Sequence, residues 1–291
     1  MLLAGLVGAL VGCASRPPQP PEPPPAPVVQ KKAPRLGLAL GGGAARGFAH
    51  VGVIQVLEEA GIKPDLVVGT SAGSLVAAFY ASGKTGAQLQ QVAESMDEAT
   101  FTDWTLPIFS RGMLRGEALA RYVGAQVGAR PIQDMPLPLG IVATDLQSGQ
   151  GVLFRQGDTG TAVRASSAVP SVFQPVRISG RDYVDGGLVA PVPVRYAREM
   201  GAELVLAVDI SSPPEGNAAD GSLQILLQTF AIMGKTINSF ELRDADVVLR
   251  PTLTGVGSAD FGARKRSIAA GRLAMQQALP KLRRLLDAPA L

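Results

Sequence analysis

The chain has 291 residues, 46% hydrophobic and 18% charged, with a formal net charge of +3, a length and balance that suit one sizeable folded core and exclude a disordered chain. Its basic residues are scattered and aromatics make up only 5%, so neither a phosphate-tracking stripe nor a base-stacking platform is expected, and no nucleic-acid partner. One cysteine, Cys13, excludes an internal disulfide and a cysteine-based metal cluster, and one histidine, His50, confines imidazole chemistry to a single residue.

Residues 2–12, LLAGLVGALVG, are too short to span a bilayer as a helix but suit the apolar region of an export signal. Leu10-Val11-Gly12-Cys13 resembles the lipobox of bacterial lipoproteins, in which cleavage before the cysteine leaves it as a lipidated N-terminus. No Lys or Arg precedes the apolar run, a departure from that pattern. Residues 13–34 are rich in proline and poor in large apolar side chains. They predict an extended tether that could reach on the order of 60 Å. The expected organisation is a signal peptide over 1–12, a tether over 13–34 and a folded domain over 35–291. Lipoprotein resemblance, with Ala14 after the cysteine, implies a bacterial envelope location on the periplasmic face of the outer membrane.

From residue 35 the chain alternates apolar strands with helical stretches. RLGLAL (35–40) predicts a strand ending in three glycines, and RGFAHVGVIQVLEEAG (46–61) a helix with Val51, Ile54 and Leu57 on its apolar face and Gly61 at its C-terminus. DLVVG (65–69) predicts a second strand and AGSLVAAFYASG (72–83) a second helix. This βαβα order implies parallel strands. PLGIVATDL, ELVLAVDI and ADVVLRPTL are near-continuous apolar runs, as strands covered on both faces require. Helices are expected near 222–240 and 265–286, and a hairpin over 177–184 turning at Ser179-Gly180. The fold class is α/β, a central mostly parallel sheet between helical layers.

Ser71 lies in Gly69-Thr70-Ser71-Ala72-Gly73, the G-x-S-x-G form of a nucleophile on a strand-to-helix turn. The upstream loop GGGAARG (41–47) has the wrong spacing for a dinucleotide fingerprint and lacks the Lys-Ser/Thr of a P-loop. It can instead offer backbone N–H groups to an oxyanion. If strands 36–40 and 65–69 pair, that loop and Ser71 face one another. A serine needs a base. His50 lies within the first helix, ahead of the serine, whereas α/β-hydrolases place the histidine last. The carboxylate candidates at strand ends are Asp145, Asp185 and Asp209, with Asp185 favoured by the tight turn that Gly186-Gly187 permits.

GGGAARG, GTSAG and DGG, in that order, resemble the patatin-like phospholipases, including the bacterial branch similar to the catalytic domain of neuropathy target esterase. GMLRGEAL (112–119), ATDLQSGQGVLF (143–154), ASSAVPSVFQPV (165–176) and ADVVLRP (245–251) extend the likeness. The resemblance implies a Ser-Asp dyad without histidine: Ser71 as nucleophile and Asp185 as base. It implies an oxyanion hole from the N–H groups of Gly42, Gly43 and Ala44. Gly41, Arg46, Gly47, Gly69, Gly73, Gly186 and Gly187 would shape the loops, Arg46 with the option of meeting a substrate phosphate. The implied substrate is a phospholipid or lysophospholipid, met at a membrane through the anchor at Cys13, with no metal or other cofactor. Phe101, Trp104, Phe109 and Met113 within 101–114 form either an acyl-binding lid or core beneath a loop. The rival reading is an envelope lipoprotein that binds lipid without catalysis.

Overall fold

Every residue of Leu36–Leu40 (β1) is buried, because its sheet is covered on both faces. Leu36, Leu38 and Leu40 enter one apolar cluster and Ala39 the other, the period-two alternation of a pleated strand. Leu66–Thr70 (β2) follows the same rule: Val67 joins the first cluster, Leu66 and Val68 the second. The structure, a computed structural model, describes residues 33–96, 103, 112–215, 220–257 and 259–287. The N-terminal apolar run, Cys13 and most of the proline-rich stretch lie outside the described residues, as do Phe101, Trp104 and Phe109.

The remaining strands are Gly112–Leu114 (β3), Leu139–Asp145 (β4), Gly151–Phe154 (β5), Ser171–Phe173 (β6), Val176–Ile178 (β7), Arg181–Asp185 (β8), Leu204–Val208 (β9) and Val247–Leu249 (β10). Eight of them make a mixed sheet in the order β10-β9-β1-β2-β4-β8-β7, with β5 also on β4, while β3 and β6 pair separately. The run from β10 to β4 is parallel, and β5, β8 and β7 join antiparallel. The hairpin between β7 and β8 turns at Ser179 and Gly180, both at positive φ (49° and 85°), the requirement of a type I′ turn.

One face of the sheet carries Phe48–Glu59 (α1), Ala72–Ala81 (α2), Gly86–Ser95 (α3), Glu117–Gln126 (α4) and Arg264–Asp287 (α8), whose apolar residues share the first cluster. Thr159–Ser166 (α5) packs at the β4 and β8 end. Val194–Glu199 (α6) covers the opposite face through Val194, Tyr196 and Ala197. Ser222–Glu241 (α7) buries only Gly234, Asn238 and Glu241. Each leucine removed fully from water contributes about 1.5–3 kcal/mol, and Leu36, Leu38, Leu40, Leu57, Leu66 and Leu206 are all in that state. No helix among the described residues is long and apolar enough to cross a membrane.

The expected parallel pair of β1 and β2 and the two long C-terminal helices are present, with shifted ends. The helix read over 46–61 begins at Phe48, because Ala44–Gly47 tighten into a 3-10 turn. It closes with Gly61 N–H donating to the Glu58 carbonyl and Ile62 N–H to that of Leu57, the paired bonds of a Schellman motif.

Candidate active site

Strand register brings the functional side chains to one place. Thr70 of β2 stands beside Val142 of β4, and the next residue of β4, Ala143, pairs with Asp185 of β8. Ser71 and Asp185 therefore emerge at the same level on either side of β4. Leu40 aligns with Gly69, which sets the loop after β1 alongside the same point.

Ser71 has φ 53° and ψ −124°, a strained backbone for a residue with a Cβ. Ser71 N–H donates to Ser166 Oγ at 2.8 Å, and Ser166 Oγ–H donates to the Val142 carbonyl at 2.6 Å. The Ser71 carbonyl accepts from Ser74 Oγ–H and Ser74 N–H, at 2.6 and 2.8 Å. Gly73 lets the helix start under the first loop: a Cβ there would lie 2.1 Å from the Leu40 carbonyl oxygen. At Gly42 a Cβ would lie 3.1 Å from that of Ser71, so the loop presses directly against the serine. Gly41, Gly47, Gly69 and Gly186 make similarly close approaches to neighbouring chain.

Asp185 is buried. Its Oδ1 accepts from Gly187 N–H at 2.7 Å, and its Oδ2 holds no bond of ordinary geometry. Burial pushes its pKa up to about 6 against two opposing effects, the Gly187 N–H and the nearby Ser71 hydroxyl. The other carboxylates are committed elsewhere. Asp145 binds Arg181 and the N–H groups of Gln147 and Ser148, which hold its pKa well below the usual range, the Arg181 bond most of all. Asp209 faces Arg250 at 3.4 Å and accepts from Ser211 N–H.

His50 is fully buried and its Nε2 meets the Gly41 carbonyl at 2.8 Å. Because a carbonyl only accepts, Nε2 carries the proton, and burial drives the imidazole pKa down to about 4. This histidine fastens the glycine loop and makes no hydrogen bond to Ser71 among the described residues. Arg46 does the same on a larger scale. Its buried guanidinium donates to the carbonyls of Ile210 (2.7 Å), Ser211 (2.9 Å), Leu253 and Val256 (both 3.3 Å). Those four carbonyl contacts tie the glycine loop to the residues after Val208 and to the 253–256 turn.

One expected oxyanion donor is corrected. Gly42 N–H donates to the Pro191 carbonyl at 2.9 Å, because the chain after Asp185 returns beneath the loop. The N–H groups of Gly43 and Ala44 have no backbone partner among the described residues, and Ala44 has a positive φ of 49°. Ala44 and Ser71 both line a cavity of about 400 Å³ whose walls are almost wholly apolar, including Phe48, Leu75, Phe79, Leu114 and Phe173. Of the proposed lid, Met113 is within β3, and its neighbour Leu114 reaches the cavity. Sequence reasoning missed Ser166 and Asn238. Asn238 accepts from Val192 N–H at 3.2 Å, beside the Pro191 that holds Gly42. Ser166 lies within the ASSAVPSVFQPV block (165–176), which carries part of the family resemblance but was given no role at the site; no local spacing flags Asn238. No three His, Cys, Asp or Glu side chains cluster as metal ligands among the described residues.

A family model described as patatin-like phospholipase matches residues 38–198. Over 188 residues the chain is 38% identical to an NTE family protein of Mycobacterium bovis, covering 64% of this chain and 52% of that protein. It is 35% identical over 188 residues to human patatin-like phospholipase domain-containing protein 6, covering 62% of this chain and 14% of that one. The chain thus spans about half the length of the first relative and a small part of the second. Among solved structures it is similar to VipD from Legionella pneumophila, with a TM-score of 0.58 at 15% identity over 86% of this chain and 67% of that one, a likeness of fold alone.

Proposed function

This chain belongs to the patatin-like phospholipase family, and from that membership and the geometry of its site we propose that it is a serine acyl hydrolase acting on phospholipid or lysophospholipid esters. The observation that carries the reading is the opening of an apolar cavity onto Ser71, a strained serine beside the incompletely bonded, buried carboxylate of Asp185. The cavity takes the acyl chain and leaves the ester at the serine. Ser71 Oγ attacks the carbonyl carbon as Asp185 takes its proton, and the resulting oxyanion lies near the N–H groups of Gly43 and Ala44. Collapse breaks the ester C–O bond, and Asp185 returns the proton to the departing alcohol. Water then attacks the acyl-enzyme, again giving a proton to Asp185, and Ser71 leaves reprotonated with release of the fatty acid. A raised carboxyl pKa suits this work, since proton uptake costs less than at an ordinary aspartate.

The test is fatty-acid release by the full chain from a soluble short-chain ester, phospholipids and lysophospholipids, with Ser71→Ala and Asp185→Asn in parallel. Ser71→Ala is expected to abolish turnover and Asp185→Asn to lower it about 10²–10⁴-fold. Folded protein that binds fatty acid but hydrolyses no ester would sink the enzymatic reading in favour of lipid binding.

A further inference from the structure

Two helices wall the cavity at Ser71 with stripes of the same spacing. On α2 the lining residues are Ala72, Leu75, Val76 and Phe79. On α3 they are Leu89, Val92, Ala93 and Met96, and within each set the steps are three, one and three residues, which is one face of a helix. Because Ser71 is the N-cap of α2, the cavity runs from the nucleophile along that helix. Exposure falls on the way: Ala72 and Leu75 are half-buried, whereas Val76 is 9% exposed and Phe79 2%. Leu89, in the first turn of α3, is equally deep at 2%. The Phe79 ring stands edge-on to Tyr122 of α4, with centroids 6.1 Å apart. Ser71 and Ser167 bring the hydroxyl groups of the lining, and its other described residues are apolar or glycine, so no hydrogen-bonding side chain lines the deep end among the described residues.

We infer that Phe79 and Leu89 close the deep end of this cavity and limit the acyl chain it accepts to medium length, about eight to ten carbons. The step from Ala72 to Phe79 is seven residues, about 10 Å of helix at a rise of about 1.5 Å each. An extended hydrocarbon with bonds of about 1.5 Å advances about 1.25 Å per carbon, so about eight carbons run from the serine to the Phe79 ring. Up to that length each methylene leaves water for an apolar wall. Beyond it the chain must double back or stay at the mouth, and further methylenes contribute nothing. Val76 stands on the same stripe one turn nearer the serine, about 4.5 Å or roughly four carbons short of Phe79. The limit therefore belongs to one position on the stripe and moves when bulk is moved along it. The inference rests on the acyl-hydrolase reading for its substrate, but its test does not require turnover.

The experiment uses the full chain and a series of saturated methyl esters from butanoate to hexadecanoate. Dissociation constants are read in Ser71→Ala by displacement of a fluorescent fatty acid, and kcat/KM with Ser71 intact by fatty-acid release. Affinity is expected to rise about fourfold per methylene, the equivalent of about 0.8 kcal/mol, as far as octanoate or decanoate and then to level. Val76→Phe, which adds bulk one turn nearer the serine, is expected to bring that break about four carbons earlier, and Phe79→Ala to carry it to dodecanoate or beyond. Phe79→Leu, a smaller truncation, moves the break in the same direction and decides the matter where Phe79→Ala does not fold by circular dichroism. A variant that merely loosened the fold would weaken every ester alike and leave the break in place. A rise that continues to hexadecanoate without either substitution overturns the inference, as does a break that stays in place in Val76→Phe and in the folded Phe79 variants. A break in binding with no hydrolysis of any ester would defeat the enzymatic reading and leave the length limit standing, and hydrolysis without a break does the converse.

Discussion

Asp185 occupies an environment that opposes its charge: it is buried, one oxygen has a single N–H donor, and the other has only the nearby serine. The consequence is kinetic. A base must be unprotonated to act, so kcat/KM for a soluble ester is expected to climb about tenfold per pH unit below a carboxyl pKa near 6 and to level above it. His50→Gln keeps an N–H donor for the Gly41 carbonyl and should retain both this limb and most of the rate. Loss of the limb in His50→Gln, or its survival in Asp185→Asn, would assign the base wrongly. Ser71, between Gly69 and Gly73, and Asp185, followed by Gly186 and Gly187, could be singled out as candidates because glycines mark the tight turn at each. The N–H of Gly42 is taken by the Pro191 carbonyl, far along the chain, a pairing no local pattern encodes. Ser166, which holds Ser71 N–H, stood in the ASSAVPSVFQPV block of the resemblance, but its contact with Ser71 forms only in the fold.

At the scale of elements, the strands of the parallel core could be read because burial on both faces leaves no polar alternation: β1, β2, β4 and β9 are apolar almost throughout. Four helices, α3 to α6, and the short strands β3, β5 and β6 were not read. α3 and α4 carry polar residues around narrow apolar stripes, and the short strands gain their partners only in the fold. The loop after β1 depends on such distant support. Arg46 binds it to the residues following β9 and to the 253–256 turn, and Gly43 packs against Ile210, with a Cβ that would stand 2.9 Å from Ile210 Cδ1. Arg46→Lys keeps the charge but loses the planar fork, leaving carbonyls unserved. Expected is a stability loss of about 2–3 kcal/mol by urea unfolding. At a temperature where the variant remains folded, kcat should fall more than KM rises, because the N–H groups of Gly43 and Ala44 lose their aim. An equal effect on stability with unchanged kcat would show that the loop does not depend on this anchor.

Across the whole molecule, burying one acid and one base near the same loop makes two opposing contributions to stability. Asp185 has a folded pKa near 6 against an ordinary 3.8. Between those values the folded state holds the extra proton, so stability falls as pH rises, by about 1.4 kcal/mol per unit. His50 has a folded pKa near 4 against an ordinary 6.5. There the unfolded chain holds the extra proton, so stability rises with pH at the same slope of about 1.4 kcal/mol per unit. Over the shared window from about pH 4 to pH 6 the two cancel. Each substitution should therefore unmask the other group. Asp185→Asn leaves the histidine slope, gaining stability relative to the parent as pH rises, whereas His50→Gln leaves the aspartate slope and loses it. Differences between variant and parent in urea midpoints, measured at several pH values across the window, remove the contribution of every other titrating group common to both proteins. Two differences of opposite sign that grow together toward pH 6 are expected. Parallel, pH-independent differences would mean that the fold does not hold these two groups away from their ordinary ionisation, and with that the raised carboxyl on which the proton transfer at Ser71 depends.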